Sequence, residues 1–168
     1  MKETVVNFDN KKRVKTMLSG VLLIIACLAF AYLMVAVASR IRIFHVLGMI
    51  VCAGFGVFML IGGIRSMRDK DKAGLILSSA GIDFKGTPNA RKIGQIAWKD
   101  ITSLSVGNAY GSSFVFLKLQ NPDKYIRKIS PQLRQNIISQ GVGITNNELS
   151  IDFEEMKNLI EKYYHQFK

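Results

Sequence analysis

The residues of this chain that could do chemistry are few and far apart. It has two histidines, His45 and His165, and two cysteines, Cys27 and Cys52. A zinc site needs three or four such ligands at close spacing. Here Cys27 and Cys52 lie inside long apolar runs, His45 near the start of the second run, and His165 close to the C-terminus. That arrangement predicts no metal cluster and no disulfide framework. The glycine patterns of phosphate-binding loops, dinucleotide folds and serine-hydrolase elbows are absent from the sequence. Glu154 and Glu155 are neighbours on a predicted helix, so their side chains point apart and suit the helix dipole better than acid–base work. Gly107-Asn108-Ala109-Tyr110-Gly111 has the composition of a strand connection, with an anion cradle as the alternative. We expect no catalytic residue, no cofactor and no metal; the chain reads as a non-enzyme.

The charged residues carry more information. Lys85, Arg91 and Lys92 flank a turn containing Pro88, and Lys124, Arg127, Lys128 and Arg134 decorate a later helical stretch. A solvated basic surface is one reading. Contact with anionic lipid head groups, chiefly through Lys85, Arg91 and Lys92, is the other, at about 1 kcal/mol per cation near an anionic leaflet. The net charge is +11, but it is uneven: residues 1–72 hold eleven Lys/Arg against four Asp/Glu and so account for +7. The basic excess therefore gathers at the ends of apolar segments, as in a membrane protein with a fixed orientation. No basic–aromatic RNA-binding motif accompanies it, so nucleic acid is not an expected partner.

Two elements must position these residues. Thr16 to Ser39 has no charged residue, and neither has Ile43 to Ile64. Each is about the 20 residues needed to cross roughly 30 Å of hydrocarbon. The expected organisation is a basic arm over 1–16, transmembrane helices over 17–38 and 43–64, a tight turn over 39–42, a basic linker over 65–72 and a domain over 73–168. The membrane-interface cations are Lys11, Lys12, Arg13 and Lys15 before the first span and Arg65, Arg68, Lys70 and Lys72 after the second. The turn carries only Arg40 and Arg42. The positive-inside rule then puts both termini and the domain in the cytoplasm.

Processing is the competing reading. Ala36-Val37-Ala38 resembles a signal cleavage site and Ile24-Ile25-Ala26-Cys27 a lipobox, but the first run is long for a signal core and stays apolar after Cys27. A surface-lying amphipathic helix fails, because neither run has a polar face. Gly48, Cys52 and Gly56 recur every four residues in the second run. Such a stripe admits a close helix neighbour, either the first span or a second copy in a homodimer. His45 reads as an interfacial residue.

Beyond Lys72 the texture becomes that of short strands. Ala73–Leu77 and Ile82–Phe84 flank a small-residue turn and predict a hairpin. Gly86–Asn89 predicts a turn. Strands are expected over 93–98, 101–106 and 114–119, short helices after Pro122 and over about 130–139, and a last hairpin around Asn146-Asn147. The C-terminal segment is an amphipathic helix capped by Asp152. Its apolar stripe is Phe153, Met156, Leu159, Ile160, Tyr163 and Phe167.

The order of these elements resembles a family of small bacterial inner-membrane proteins of uncharacterised role. Its members have two N-terminal spans and a cytoplasmic domain like the pleckstrin-homology (PH) fold. The matching stretches are Gly74-Leu75, Gly81-Ile82-Asp83-Phe84, Ile96-Ala97-Trp98-Lys99-Asp100-Ile101, Asn121-Pro122-Asp123-Lys124-Tyr125, Gly143-Ile144 with Asn147, Leu149 and Ile151, and Phe153-Glu154-Glu155-Met156. They cover roughly Gly74 to Phe167. The resemblance implies an α+β protein: a two-helix transmembrane hairpin, then a PH-like bent antiparallel sheet or barrel closed by a C-terminal amphipathic helix. It implies a multi-pass protein of the bacterial inner (plasma) membrane and supplies no catalytic residues. The functional expectation is a membrane-tethered binding or scaffold module whose partners are the bilayer, anionic head groups or another membrane protein. The alternative is an immunity or stress-protection protein against a membrane-active toxin.

Overall fold

The computed structural model describes residues 3–37, 43–68, 71–109 and 111–168. The expected turn over 39–42 and Tyr110 lie outside them. The chain divides into two compact units, residues 10–70 and residues 1–9 with 71–168.

The first unit is a pair of helices, α1 (Asn10–Val37) and α2 (Ile43–Arg68). Both are longer than the expected spans. The cations at their ends are good helix formers, so the helix outlasts the apolar window on the basic side. Segments Asn10–Met34 and Val46–Arg65 are each long and apolar enough to cross a membrane. Only 6% and 11% of their most apolar windows are buried, and large side chains such as Leu28, Val51 and Phe58 stand exposed. A core helix of a water-soluble fold is mostly buried, which these two are not.

The two helices pack through glycine. A Cβ on Gly20 would stand 2.9 Å from the Gly56 carbonyl oxygen, and one on Gly63 would stand 2.9 Å from the Met17 Cβ. Small residues at these crossings let the backbones approach closely. The stripe seen in the sequence is therefore split. Gly56 packs on α1, whereas Gly48 has open space around it and Cys52 is exposed.

Among the described residues, the second unit contains six strands and four helices. Its strands are β1 (Thr4–Asn7), β2 (Ala73–Leu77), β3 (Ile82–Phe84), β4 (Ile101–Ala109), β5 (Ser112–Leu119) and β6 (Val142–Ile144). Its helices are α3 (Pro88–Ile93), α4 (Asp123–Ile126), α5 (Pro131–Gln140) and α6 (Phe153–Phe167), and a 3-10 turn spans Trp98–Asp100. The strands form two antiparallel sheets, in the orders β1-β2-β3 and β4-β5-β6. They do not close into a barrel. The expected strand over 93–98 is absent: Gly94 has φ 69°, which breaks the extended run, and only Ile96 bridges to Ile82.

The N-terminal segment is the main departure from the sequence reading. Thr4–Asn7 was expected within a basic arm; it is a sheet strand. It pairs antiparallel with β2, Val6 opposite Leu75. On its other side the Ser150 N–H donates to the Asn7 carbonyl at 3.0 Å and the Asp9 N–H to the Glu148 carbonyl at 2.8 Å. That second pairing also replaces the hairpin expected around Asn146-Asn147. Residues 148–150 run beside residues 7–9, so the partner of the last extended segment comes from the opposite end of the chain.

One core joins both sheets and α6. Leu75, Leu77, Ile82, Ile101, Leu117, Leu149, Met156, Ile160 and Tyr163 are sealed from solvent, with Val6 and Phe8 of the N-terminal segment in the same cluster. α6 starts as expected, with the Asp152 carboxylate accepting from the Glu155 N–H at 2.7 Å. The Tyr163 ring stacks on Trp98 at 6.2 Å.

Candidate functional site

Three groups of residues bear on function. The first is the junction where the chain leaves the β-rich unit and returns to it. The Phe8 N–H donates to the Lys72 carbonyl at 2.9 Å, so the departing and returning backbones are hydrogen-bonded neighbours. Lys85 stands beside them. Its ammonium lies 2.6 Å from Asp71 and 3.9 Å from Asp83. The bond from Lys85, and then the Ala73 N–H, hold the Asp71 carboxyl below its ordinary range, and the same bond raises Lys85. Burial pushes Asp83 the other way, upward. Arg91 donates through Nε to the Lys85 carbonyl at 3.0 Å, and its guanidinium lies 5.9 Å from the centroid of the Phe8 ring.

The expected head-group cations are therefore unequal. The charge of Lys85 is matched inside the fold and Arg91 is stapled to the junction, while Lys92 is exposed on the last turn of α3. α3 lies beside α4. There Lys124 pairs with Asp100 at 2.7 Å and Asp100 also accepts from the Tyr125 hydroxyl, so both bonds hold the Asp100 carboxyl down. Arg134 donates to the Ile129 carbonyl. Arg127 and Lys128 are exposed. Lys92, Arg127 and Lys128 thus sit on neighbouring elements with their charges outward.

The second group is the set of interface cations. Lys11, Lys12, Arg13 and Lys15 occupy the opening turns of α1, where Lys11 and Lys15 are exposed and Arg13 is buried. Arg65 is exposed near the end of α2, Arg68 is the last residue of that helix, and Lys72 is exposed. Lys70 lies outside the described residues.

The third group was not singled out from the sequence. Phe114 and Phe116 stack at 5.7 Å on one face of β5. Gly107 on β4 and Gly143 on β6 flank them, and a Cβ at either position would press on these rings at 3.0–3.2 Å. The expected loop over 107–111 is shorter than anticipated, since 107–109 continue β4 and Gly111 makes the turn at φ 72°. The alternation of glycine with phenylalanine across three strands was the available signal.

Among the described residues, no three His, Cys, Asp or Glu side chains come together as a metal site. A small hollow between the sheets is lined by Ile82, Phe84, Ile93, Ile96, Leu117 and Ile144; it offers no titratable group. Fold and site together define a small α+β domain carrying two helices apolar enough to cross a membrane. Comparison with the models of known families, with curated proteins and with solved structures yields no match.

Proposed function

We propose that this chain is a non-enzymatic, membrane-tethered binding or scaffold module. In this reading α1 and α2 form a multi-pass hairpin in the bacterial inner membrane, and the PH-like domain works at its cytoplasmic face. The observation that carries the proposal is the 2.9 Å hydrogen bond between Phe8 and Lys72. Phe8 precedes α1 and Lys72 follows α2, so a hydrogen bond between them keeps the chain's departure and return on one side of a bilayer, as a hairpin requires. The basic residues clustered at those ends favour the cytoplasmic side. Cleavage after Ala38 or ahead of Cys27 would remove β1 from its sheet, which argues against the signal-peptide and lipoprotein readings. Two small sheets with a docked C-terminal helix support the PH-like reading, and Lys92, Arg127 and Lys128 are exposed cations available to anionic head groups.

The test is topology in intact cells. A cytoplasm-dependent reporter fused ahead of Met1 or after Lys168 should be active in both fusions, and the protein should resist alkaline extraction from membranes. Reporters active on opposite sides, or release by alkali, would overturn the hairpin.

A further inference from the structure

The other edge strands of the β-rich unit are short or partly capped. β1 is only four residues long and meets Ser150 at its Asn7 end, and β3 is capped by paired bonds between Ile82 and Ile96, both at 2.8 Å. β6 is only three residues long. β4 differs: it is a nine-residue edge strand, reading ITSLSVGNA, with no charge and no proline. Its first residues are covered, because Tyr164 and Lys168 both donate to the Thr102 carbonyl, at 2.9 and 2.8 Å. Beyond them Ser103, Ser105, Val106 and Asn108 are exposed, Val106 at 54%. Proteins ordinarily blunt such an edge with a lysine, a proline or a bulge. The one irregularity in this ladder lies between Ile101 and Ser103, before the open stretch.

The register says which backbone groups are free to pair. Ala109 faces Ser112 across the turn, which makes them a hydrogen-bonded pair. Alternation then turns Gly107, Ser105 and Ser103 toward β5. Leu104, Val106 and Asn108 turn their N–H and C=O groups outward. The side-chain bond from Ser113 to Asn108, at 2.9 Å, fits the closer approach of a non-hydrogen-bonded pair there.

We propose that this edge is the interface for a second copy of the chain, the two β4 strands pairing antiparallel about Val106. In that register Val106 meets its own twin and Leu104 meets Asn108, so every outward residue exchanges both of its backbone bonds. A register centred one residue earlier would need the Thr102 carbonyl, which α6 already occupies. The strand is neutral in a chain of net charge +11, so self-pairing sets no like charges opposite each other. The contact is isologous and closes at the dimer.

The experiment uses the full chain in detergent or nanodiscs. Sedimentation should show a concentration-dependent dimer. Val106→Lys, which sets two ammonium groups face to face, should weaken it by more than about tenfold. Val106→Thr, which keeps a β-branched side chain, should retain it. In a Cys27→Ser/Cys52→Ser background, Val106→Cys should cross-link to its twin with a short bismaleimide, since such partners lie about 5.5 Å apart between Cα atoms. A monomer at every concentration, a dimer indifferent to Val106→Lys, or cross-linking of position 106 only to a different protein would each overturn the proposal.

Discussion

The hydroxyl of Thr4, in the first strand, lies 2.7 Å from the phenolic oxygen of Tyr163, in the last helix. Tyr163 is fully buried and stacks on Trp98, whose indole N–H donates to the Ser78 carbonyl at 2.8 Å. The two ends of the chain are thus fastened to each other and to the first hairpin. Tyr163→Phe removes the hydroxyl and keeps the ring. It should cost about 1 kcal/mol, or roughly 4–8 °C in Tm for a domain of this size. Tyr163→Ala should cost about 3–5 kcal/mol by opening a cavity. Thermal unfolding followed by circular dichroism measures both.

Deleting residues 2–8 should unfold or severely weaken the β-rich unit. Val6 and Phe8 are both buried, and burial of such side chains contributes about 1.5–3 kcal/mol each. The loss, about 3–6 kcal/mol, is a large share of the stability of a small domain. A 73–168 fragment should show the same defect, whereas joining residues 1–9 to 71–168 through a short glycine–serine loop should restore cooperative unfolding. Equal melting of the 73–168 fragment and the joined form would contradict the role assigned to β1.

Anionic vesicles offer a test of the outward cations on the joined form. Binding should be weak and should fade as added salt shortens the Debye length from about 10 Å to about 3 Å. Replacing Lys92, Arg127 and Lys128 with Glu should abolish it without lowering the Tm. Lys85→Glu should instead destabilise the fold, because it sets a third carboxylate beside Asp71 and Asp83. Flotation of the triple variant with anionic vesicles as well as the parent does would remove lipid contact from the functional reading.

The carboxylates beside Lys85 and Lys124 should make stability depend on pH with opposite signs. Asp71 and Asp100 are held below the ordinary 3.8, so their contribution is complete above that pH and is lost as pH falls through their folded values. Asp83 is raised by burial, so its contribution is present at low pH and is lost as pH rises through its folded value. Asp83→Asn should therefore raise the Tm at pH 7 and change it little at pH 3. A Tm lowered at pH 7 would show that the pairing with Lys85 outweighs the burial.

Ile160 has no exposed surface. Ile160→Asp should cost on the order of several kcal/mol by burying a carboxylate on the apolar face of α6. Unchanged unfolding of the full chain would mean that α6 is not part of the core.

Much of this protein is local in origin and therefore readable along the chain. Two uncharged apolar runs announce α1 and α2, because length and hydropathy need no distant partner. The hairpin of β2 and β3, the strands β4 and β5, and α6 with its Asp152 cap follow from alternation, helical spacing and turn chemistry. What tertiary structure alone decided is pairing between distant segments. Thr4–Asn7 is too short and too near a basic run to read as a strand, and it becomes one only through β2 on one side and residues 148–150 on the other. The same long-range pairing dissolved the expected last hairpin, while Gly94 broke the expected strand over 93–98. Nor could the sequence show that Lys85 is matched by Asp71 and Asp83 while Lys92 stays free to face outward. Charge is visible residue by residue; its neutralisation depends on which carboxylates the fold brings within a few ångströms.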